Sequence, residues 1–249
     1  MRSLLRTLCL TMLTALSMTG TTALAAADTK LAPLTIYHIE GRRSERLVWL
    51  CEEIGRPYQL EYKRGNIVGS MATIREISPL MPVAPTVRYG DLVMVESGAI
   101  IELILAREGG QGLVPPVDSA DYAYYLQWMH FAEGSFASRV IADYRVEMLN
   151  VQKPNLGYKL VDSEAVLKFA DAFLAKNPYF GGSNFSAADI MMLFPTNFAA
   201  GMNVVDLAEF PNVATWKQKV ESRPAYKKML EVARPDGLVG SPKPLPKKE

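Results

Sequence analysis

The chain has 249 residues, is 49% hydrophobic and carries a formal net charge of +1. That length allows one large or two ordinary domains, and the near-neutral charge argues against a nucleic-acid partner. Two cysteines and two histidines, with no C-x-x-C and no H-x-x-x-H, give no expectation of a metal centre or a dithiol redox pair.

In chain order, Arg2 and Arg6 precede an uncharged run that ends in Ala23-Leu24-Ala25 and then Ala26-Ala27. A basic start, a short apolar stretch and A-x-A describe a cleaved signal peptide over residues 1–25, with export to the periplasm of a Gram-negative host. The alternative is an uncleaved anchor, although threonine and glycine dilute the run as a membrane span. Cleavage takes the formal charge from +1 to −1 and leaves Cys51 as the one cysteine, so no internal disulfide can form.

Leu34 to His38 reads as a buried strand. A helix from about Ser44 follows, with Leu47, Leu50, Cys51 and Ile54 on one stripe, Ser44 as N-cap and Gly55 as its stop. Tyr58 to Tyr62 is a second strand, which makes a β-α-β unit with a parallel pair. A short helical stretch near Met71 to Ile77 leads to a hairpin: Thr86-Val87-Arg88, a Tyr89-Gly90-Asp91 turn, and Leu92 to Val95. Ser97 then caps a helix through Arg107.

Gly109 to Asp118 (GGQGLVPPVD) is a linker, and only helices are expected beyond it. Ser119 to about Leu149 is long and helical, with two apolar stripes: Tyr122, Tyr125, Met129, Ala132 and Phe136, and beside them Tyr124, Trp128 and Phe131. So wide an apolar surface implies a second neighbour, either a ligand or the partner of a homodimer. Ser163 to Ala175 is amphipathic, and Ser186-Ala187-Ala188-Asp189 reads as a capping box opening Ile190 to Phe198. The last helical region, Pro211 to Ala233, has a break at Ser222-Arg223 before Pro224. Lys243, Lys247 and Lys248 lie among prolines and read as a solvated end.

Four stretches in this order, "IYHIEGRRSERLVWLCEEIGRPY", "APTVRYGDLVMVESGAII", "NFSAADIMM" and "PNVATWKQKVESRPAY", resemble the cytosolic-type glutathione S-transferases. The resemblance runs from about Leu34 to about Ala233. It implies an α/β thioredoxin-like N-terminal domain (βαβαββα, mixed sheet) over 32–112 that binds glutathione. An all-α helical bundle over 118–240 follows it.

Proline cannot donate to a ladder, so Pro85 at the start of a strand leaves two readings: a cis bond that leaves the Ala84 backbone unpaired, or a trans proline guarding an edge. In the resembled family the cis form lets the cysteinyl unit of glutathione pair with that backbone. Glu96 and Ser97 suit the γ-glutamyl end, with a carboxylate for the ammonium and a helix N-terminus for the carboxylate; the alternative is a simple cap beside a solvated acid.

The family's thiolate is stabilised by a tyrosine at the end of the first strand or by a serine or cysteine at the start of the first helix. Tyr37 matches the tyrosine position. Arg42 stands where serine-type members have serine, and Arg43 where some tyrosine-type members have an arginine beside the sulfur. Tyr37 with Arg43 is the first candidate pair and Ser44 the second hydroxyl donor. The alternatives are a core role for Tyr37, and Arg42, Arg43 and Arg46 either solvated or paired with Glu40 and Glu45. Cys51, in an apolar stripe, is expected in the core.

The implied activity is addition of the glutathione thiolate to a small hydrophobic electrophile, or a related glutathione-dependent reduction. Glutathione is then a co-substrate and no cofactor is permanently bound. The competing reading is a non-catalytic protein holding glutathione or an apolar ligand on the same scaffold. Tyr122, Tyr125, Trp128 and His130 are candidates for the electrophile pocket, and no membrane association is expected once the signal is removed.

Overall fold

β1 (Leu34–Tyr37) is followed by α1 (Glu45–Ile54), β2 (Gln59–Glu61), α2 (Ile67–Ile77), β3 (Thr86–Tyr89), β4 (Leu92–Val95) and α3 (Ser97–Glu108) in the computed structural model. It describes residues 31–110, 112–152, 161–238, 240 and 242–246. The strand order is β2-β1-β3-β4. β1 and β2 run parallel, while β1–β3 and β3–β4 are antiparallel. This is the mixed four-stranded sheet expected of a thioredoxin-like unit. The proposed signal segment lies outside the described residues.

Glycine at position 55 takes φ 65° and closes α1, with its cap N–H bonded to the Cys51 carbonyl. Leu47, Leu50 and Cys51 are fully buried under the sheet. Burial pushes the Cys51 thiol up to about 12, so it is a packing residue. α2 starts a turn earlier than its apolar pattern suggests, because the Asn66 side chain caps it by accepting from the Gly69 N–H at 2.8 Å.

The helical half holds α4 (Ala120–Phe131), a π-helical segment (Ala132–Ala137), α5 (Ser138–Met148), α6 (Ser163–Leu174), α7 (Ala187–Gly201), α8 (Pro211–Glu221) and α9 (Pro224–Ala233). The long helix expected over 119–149 is therefore continuous but carries a π segment at its middle. Ser186 and Asp189 form the expected capping box. The core is shared: Ile36, Leu50 and Ile104 from the sheet half join Trp128, Phe136, Leu193 and Trp216 in one apolar cluster.

Lys243 is exposed, as expected of a solvated end, while Lys247 and Lys248 lie outside the described residues; the chain between is held by its backbone and by one leucine. Leu245 is buried, and its N–H donates to the Met202 carbonyl at 3.0 Å. The Tyr144 hydroxyl donates to the Lys243 carbonyl at 2.8 Å. The segment is docked against α5 and the end of α7.

Candidate active site at one end of the sheet

Strand register assembles the site. Tyr37 lies opposite Thr86, and Thr86 lies opposite Val95. The end of β1, the start of β3 and the end of β4 therefore meet at the same end of the sheet. Tyr37, Ala84-Pro85 and Glu96-Ser97, spread over some sixty positions of sequence, become neighbours. Two helices, α1 and α3, also begin at this end, and a helix N-terminus favours an anion.

The Ala84–Pro85 bond is cis. Among the described residues the Ala84 N–H and C=O make no backbone hydrogen bond, and Ala84 is half-buried. Tyr37 and Ala84 belong to the same small apolar cluster with Ile39 and Ile74. The Tyr37 ring is buried, and its hydroxyl has no hydrogen-bond partner among the described residues.

Glu96, and not Ser97, occupies the cap position of α3, with φ 73° and ψ 101°. A non-glycine residue held at positive φ costs about 1–3 kcal/mol and is typical of functional sites. Its side chain is exposed, while Ser97 is the first helical residue and is buried.

Ser44 departs from expectation. It shows helical dihedrals and no capping bond. Its hydroxyl sits fully buried, 2.8 Å from His38 Nδ1, and accepts from the Ile39 N–H at 3.2 Å. His38 Nε2 lies 2.6 Å from the Ala233 carbonyl, which can only accept. Nε2 therefore carries the proton, Nδ1 is the acceptor, and the single Ser44 proton points at the ring. Burial holds His38 neutral, lowering it to about 4. The Ser44 hydroxyl ties the β1–α1 turn to the end of α9 and has no proton to give a thiolate.

The arginines depart as well. Arg43 Nε donates to Glu133 Oε1 at 2.7 Å, and Arg46 donates to the same oxygen at 2.5 Å. Their partner is thus an acid in the π segment, not Glu40 or Glu45. Arg46 is fully enclosed and also donates to Ser97 Oγ at 3.0 Å and to the Met191 carbonyl at 2.5 Å. The reason lies in α7: Pro195 has no N–H, so the carbonyl four residues back, Met191, loses its helical donor. Arg46 supplies the replacement. Burial lowers Arg46 to about 10, leaving it a cation at neutral pH. Burial raises Glu133, but Arg46 and Arg43 outweigh this and hold it below the usual carboxylate range. Both guanidinium groups lie over the Phe194 ring, at 4.7 and 5.2 Å.

A cavity of about 350 Å³ adjoins the start of α1. Its walls come from α5, α7, α9 and the C-terminal segment, with Ile141, Leu193, Phe194, Phe198 and Met229 among the apolar lining. Tyr122, Tyr125, Trp128 and His130 do not line it. Trp128 is instead fully buried among Phe131, Phe169, Phe173 and Phe180. The four candidates for the electrophile pocket are therefore not its walls, and the cavity lies further along the same helix, beyond the π segment.

A thioredoxin-like mixed four-stranded sheet followed by an all-helical bundle is the arrangement of the glutathione S-transferase fold class. Comparison with known proteins agrees. Residues 140–224 match the family of the glutathione S-transferase C-terminal domain. Glutathione S-transferase 3 of Schizosaccharomyces pombe is 28% identical over 207 residues, covering 77% of this chain and 84% of that one. The disulfide-bond oxidoreductase YfcG of Escherichia coli is 26% identical over 196 residues, covering 77% and 86%. Among solved structures, a glutathione S-transferase from Actinobacillus pleuropneumoniae superposes with a TM-score of 0.72 at 26% identity, covering 83% of this chain and 94% of that one. The theta class enzyme of Xanthomonas axonopodis pv. citri, with glutathione bound, gives 0.61 at 26% identity, covering 82% and 99%. All three kinds of comparison point to the glutathione S-transferase family.

Proposed function

We propose that this protein is a glutathione transferase with a glutathione-binding domain over 32–112 and a helical domain over 118–240. The carrying observation is the convergence of Tyr37, Ala84 and Glu96-Ser97 at one sheet end, set by the strand register. In this reading the Ala84 N–H and C=O pair with the cysteinyl unit by β-augmentation. Ser97 and the α3 N-terminus take the γ-glutamyl carboxylate, and Glu96 takes its ammonium. The apolar cavity at the start of α1 receives the electrophile.

In the reaction the thiol proton passes to solvent and the thiolate attacks an electrophilic carbon. A C–S bond forms. Either the leaving group departs with its electron pair, or the π pair of a double bond moves and is protonated by water. The relative named a disulfide-bond oxidoreductase supports glutathione-dependent thiol–disulfide exchange as the related chemistry of this site.

Tyr37 is the hydroxyl proposed to stabilise the thiolate, because its group is free while that of Ser44 is committed. Arg43 is the second candidate, held by Glu133 rather than aimed freely at the sulfur. Tyr37→Phe is expected to leave glutathione bound, to raise the pKa of the bound thiol and to lower turnover near neutral pH by about tenfold or more, with partial recovery at higher pH. Thiolate absorbance of bound glutathione against pH measures this directly. Ser44→Ala should leave the thiol pKa alone. If only Arg43→Ala moves it, the cation stabilises the sulfur. If no variant moves it, the site binds glutathione without activating it and the non-catalytic reading holds.

Export by a cleaved leader with periplasmic residence, and assembly as a homodimer, are part of the same proposal. The Arg-flanked apolar run before Ala25 supports the first. Exposed Tyr124 on α4 and Phe169 on α6, both bordering the same aromatic cluster, support the second. Mature protein that begins at Met1 would sink the first, and a monomer by light scattering at micromolar concentration the second.

A further inference from the structure

We propose that the C-terminal segment from Asp236 to Leu245 is a strap that couples the electrophile cavity to the glutathione end of the sheet, so that each ligand binds more tightly once the other is in place. This rests on the transferase reading of the same two sites.

The path of the chain is the first support. Beyond α9 it runs back over the sheet half, where the Asp236 carboxylate takes two hydrogen bonds from the Arg64 guanidinium. Leu238 lies on the bare backbone of Gly41 in the β1–α1 turn, so closely that a Cβ there would come within 2.6 Å of its Cδ2. Gly240 lies against Ile67, the first residue of α2, in the same way. The chain then crosses to the helical half. The Lys243 carbonyl accepts from Tyr144 on α5, and the Leu245 N–H and C=O are bonded to Met202 and to the Asn203 side chain at the end of α7. Between the outermost anchors, Leu238 and Pro242 line the electrophile cavity.

The neighbours of the strap are the second support. Ile67, with Met71, Ile74 and Ile77 of α2, belongs to the small apolar cluster that holds Tyr37 and Ala84, the proposed neighbours of the cysteinyl unit. α2 therefore packs on the glutathione site with one part of its surface and on the strap with another. Gly41 is tied in turn to α1: its N–H donates to Glu45 at 2.7 Å, and Glu45 meets Arg234, at the root of the strap, at 3.5 Å. A ligand that fixes Ala84 and Tyr37 favours the packed α2 and so the seated strap. A ligand that fills the cavity against Leu238 and Pro242 favours the seated strap and so the packed α2. Linkage makes the two effects equal.

Weak attachment is the third. No helix or ladder holds the described residues of 236–245, and Leu245 is their one buried side chain. Leu238 is 55% exposed. The Arg64–Asp236 pair is open to water and contributes little alone. The strap can therefore lift without unfolding either half, and what holds it is of the size that a bound ligand changes.

The test measures the affinity of the neutral fluorescent probe N-phenylnaphthylamine with and without saturating glutathione, and the affinity of glutathione, by calorimetry, with and without the probe. The wild-type protein should show the same gain in both, about fivefold or more. Leu245→Asp puts a charge in the buried seat of the strap, and Arg64→Ala removes its anchor on the sheet half. Each should bring the factor toward one while both ligands still bind. Lys243→Ala should leave it unchanged, since only the Lys243 carbonyl is used. Exchange of the Leu245 amide hydrogen should slow when either ligand is bound.

A factor that neither Leu245→Asp nor Arg64→Ala moves overturns the proposal, because the two ligands would then be coupled by touching each other directly. No glutathione binding at all removes the transferase reading, and this inference with it. Glutathione and probe that bind the wild-type protein independently remove this inference alone.

Discussion

Asp189→Ala is expected to lower the stability of the folded protein by about 4 kcal/mol or more, a loss in the range reserved for broken buried networks. The Asp189 carboxylate is fully enclosed and accepts four hydrogen bonds. The Phe180 N–H and the Trp216 indole N–H reach Oδ1 at 2.9 and 2.7 Å. The Ser186 N–H and hydroxyl reach Oδ2 at 2.9 and 3.2 Å. Burial pushes Asp189 up to about 6 against the pull of these donors, so it is still ionised at neutral pH. Alanine would strand three N–H groups where no water replaces the acceptor. Asp189→Asn should also be costly, because its amide must turn an N–H toward one of those donor pairs. Chemical denaturation at neutral pH measures both, and a loss below about 1 kcal/mol for the alanine variant would refute the account. The consequence reaches the site. The capping box sets the start of α7, and α7 presents Met191 to Arg46 and Phe194 to the cavity.

The capping box was legible because its signal is local: a serine, and an acid three residues on, before an apolar run. The parallel β1–β2 pair and the β3–β4 hairpin were legible for a similar reason. A β-α-β unit followed by a tight hairpin leaves few arrangements, and the hairpin register then brings Ala84 beside Ser97 whatever their side chains. Ser44 was misread because serine before an apolar helix looks like a cap. What decides its role is His38, six residues earlier, which no helix-start pattern includes. Arg46 was hidden more thoroughly. Its spacing places it on α1 among charged neighbours, and a lone arginine there reads as solvated. Its three partners come from the π segment, α3 and α7, which touch only in the folded chain. Pro195 was visible throughout, and a proline inside a helix announces an unpaired carbonyl four residues back. The sequence does not say which donor answers it.

Arg46 is expected to be the residue on which the two halves of the site most depend. Arg46→Met keeps much of the volume and removes the cation. Glu133 would lose one of its two guanidinium partners, Ser97 Oγ its donor, and the Met191 carbonyl its substitute for the missing Pro195 N–H. Breaking a buried pair in this way costs about 3–5 kcal/mol, mostly because the remaining charge is stranded. Two features separate this from a generic core defect. The first is pH dependence. Glu133 is held below the usual carboxylate range, so its contribution is complete above the ordinary glutamate pKa and is lost as pH falls through the lowered folded value. Arg46→Met should therefore flatten the acid limb of the stability profile. The second is coupling to Pro195. In a Pro195→Ala background the helix supplies its own N–H to the Met191 carbonyl, so the cost of Arg46→Met should shrink by about 1 kcal/mol in a double-mutant cycle. Glutathione affinity, measured on folded protein, should fall in Arg46→Met as it does in Ser97→Ala, by about 1–3 kcal/mol, since both disturb the hydroxyl beside the α3 N-terminus. Additive costs in the cycle would show that Arg46 does not serve the Pro195 gap, and unchanged glutathione affinity in both variants would place the γ-glutamyl group elsewhere.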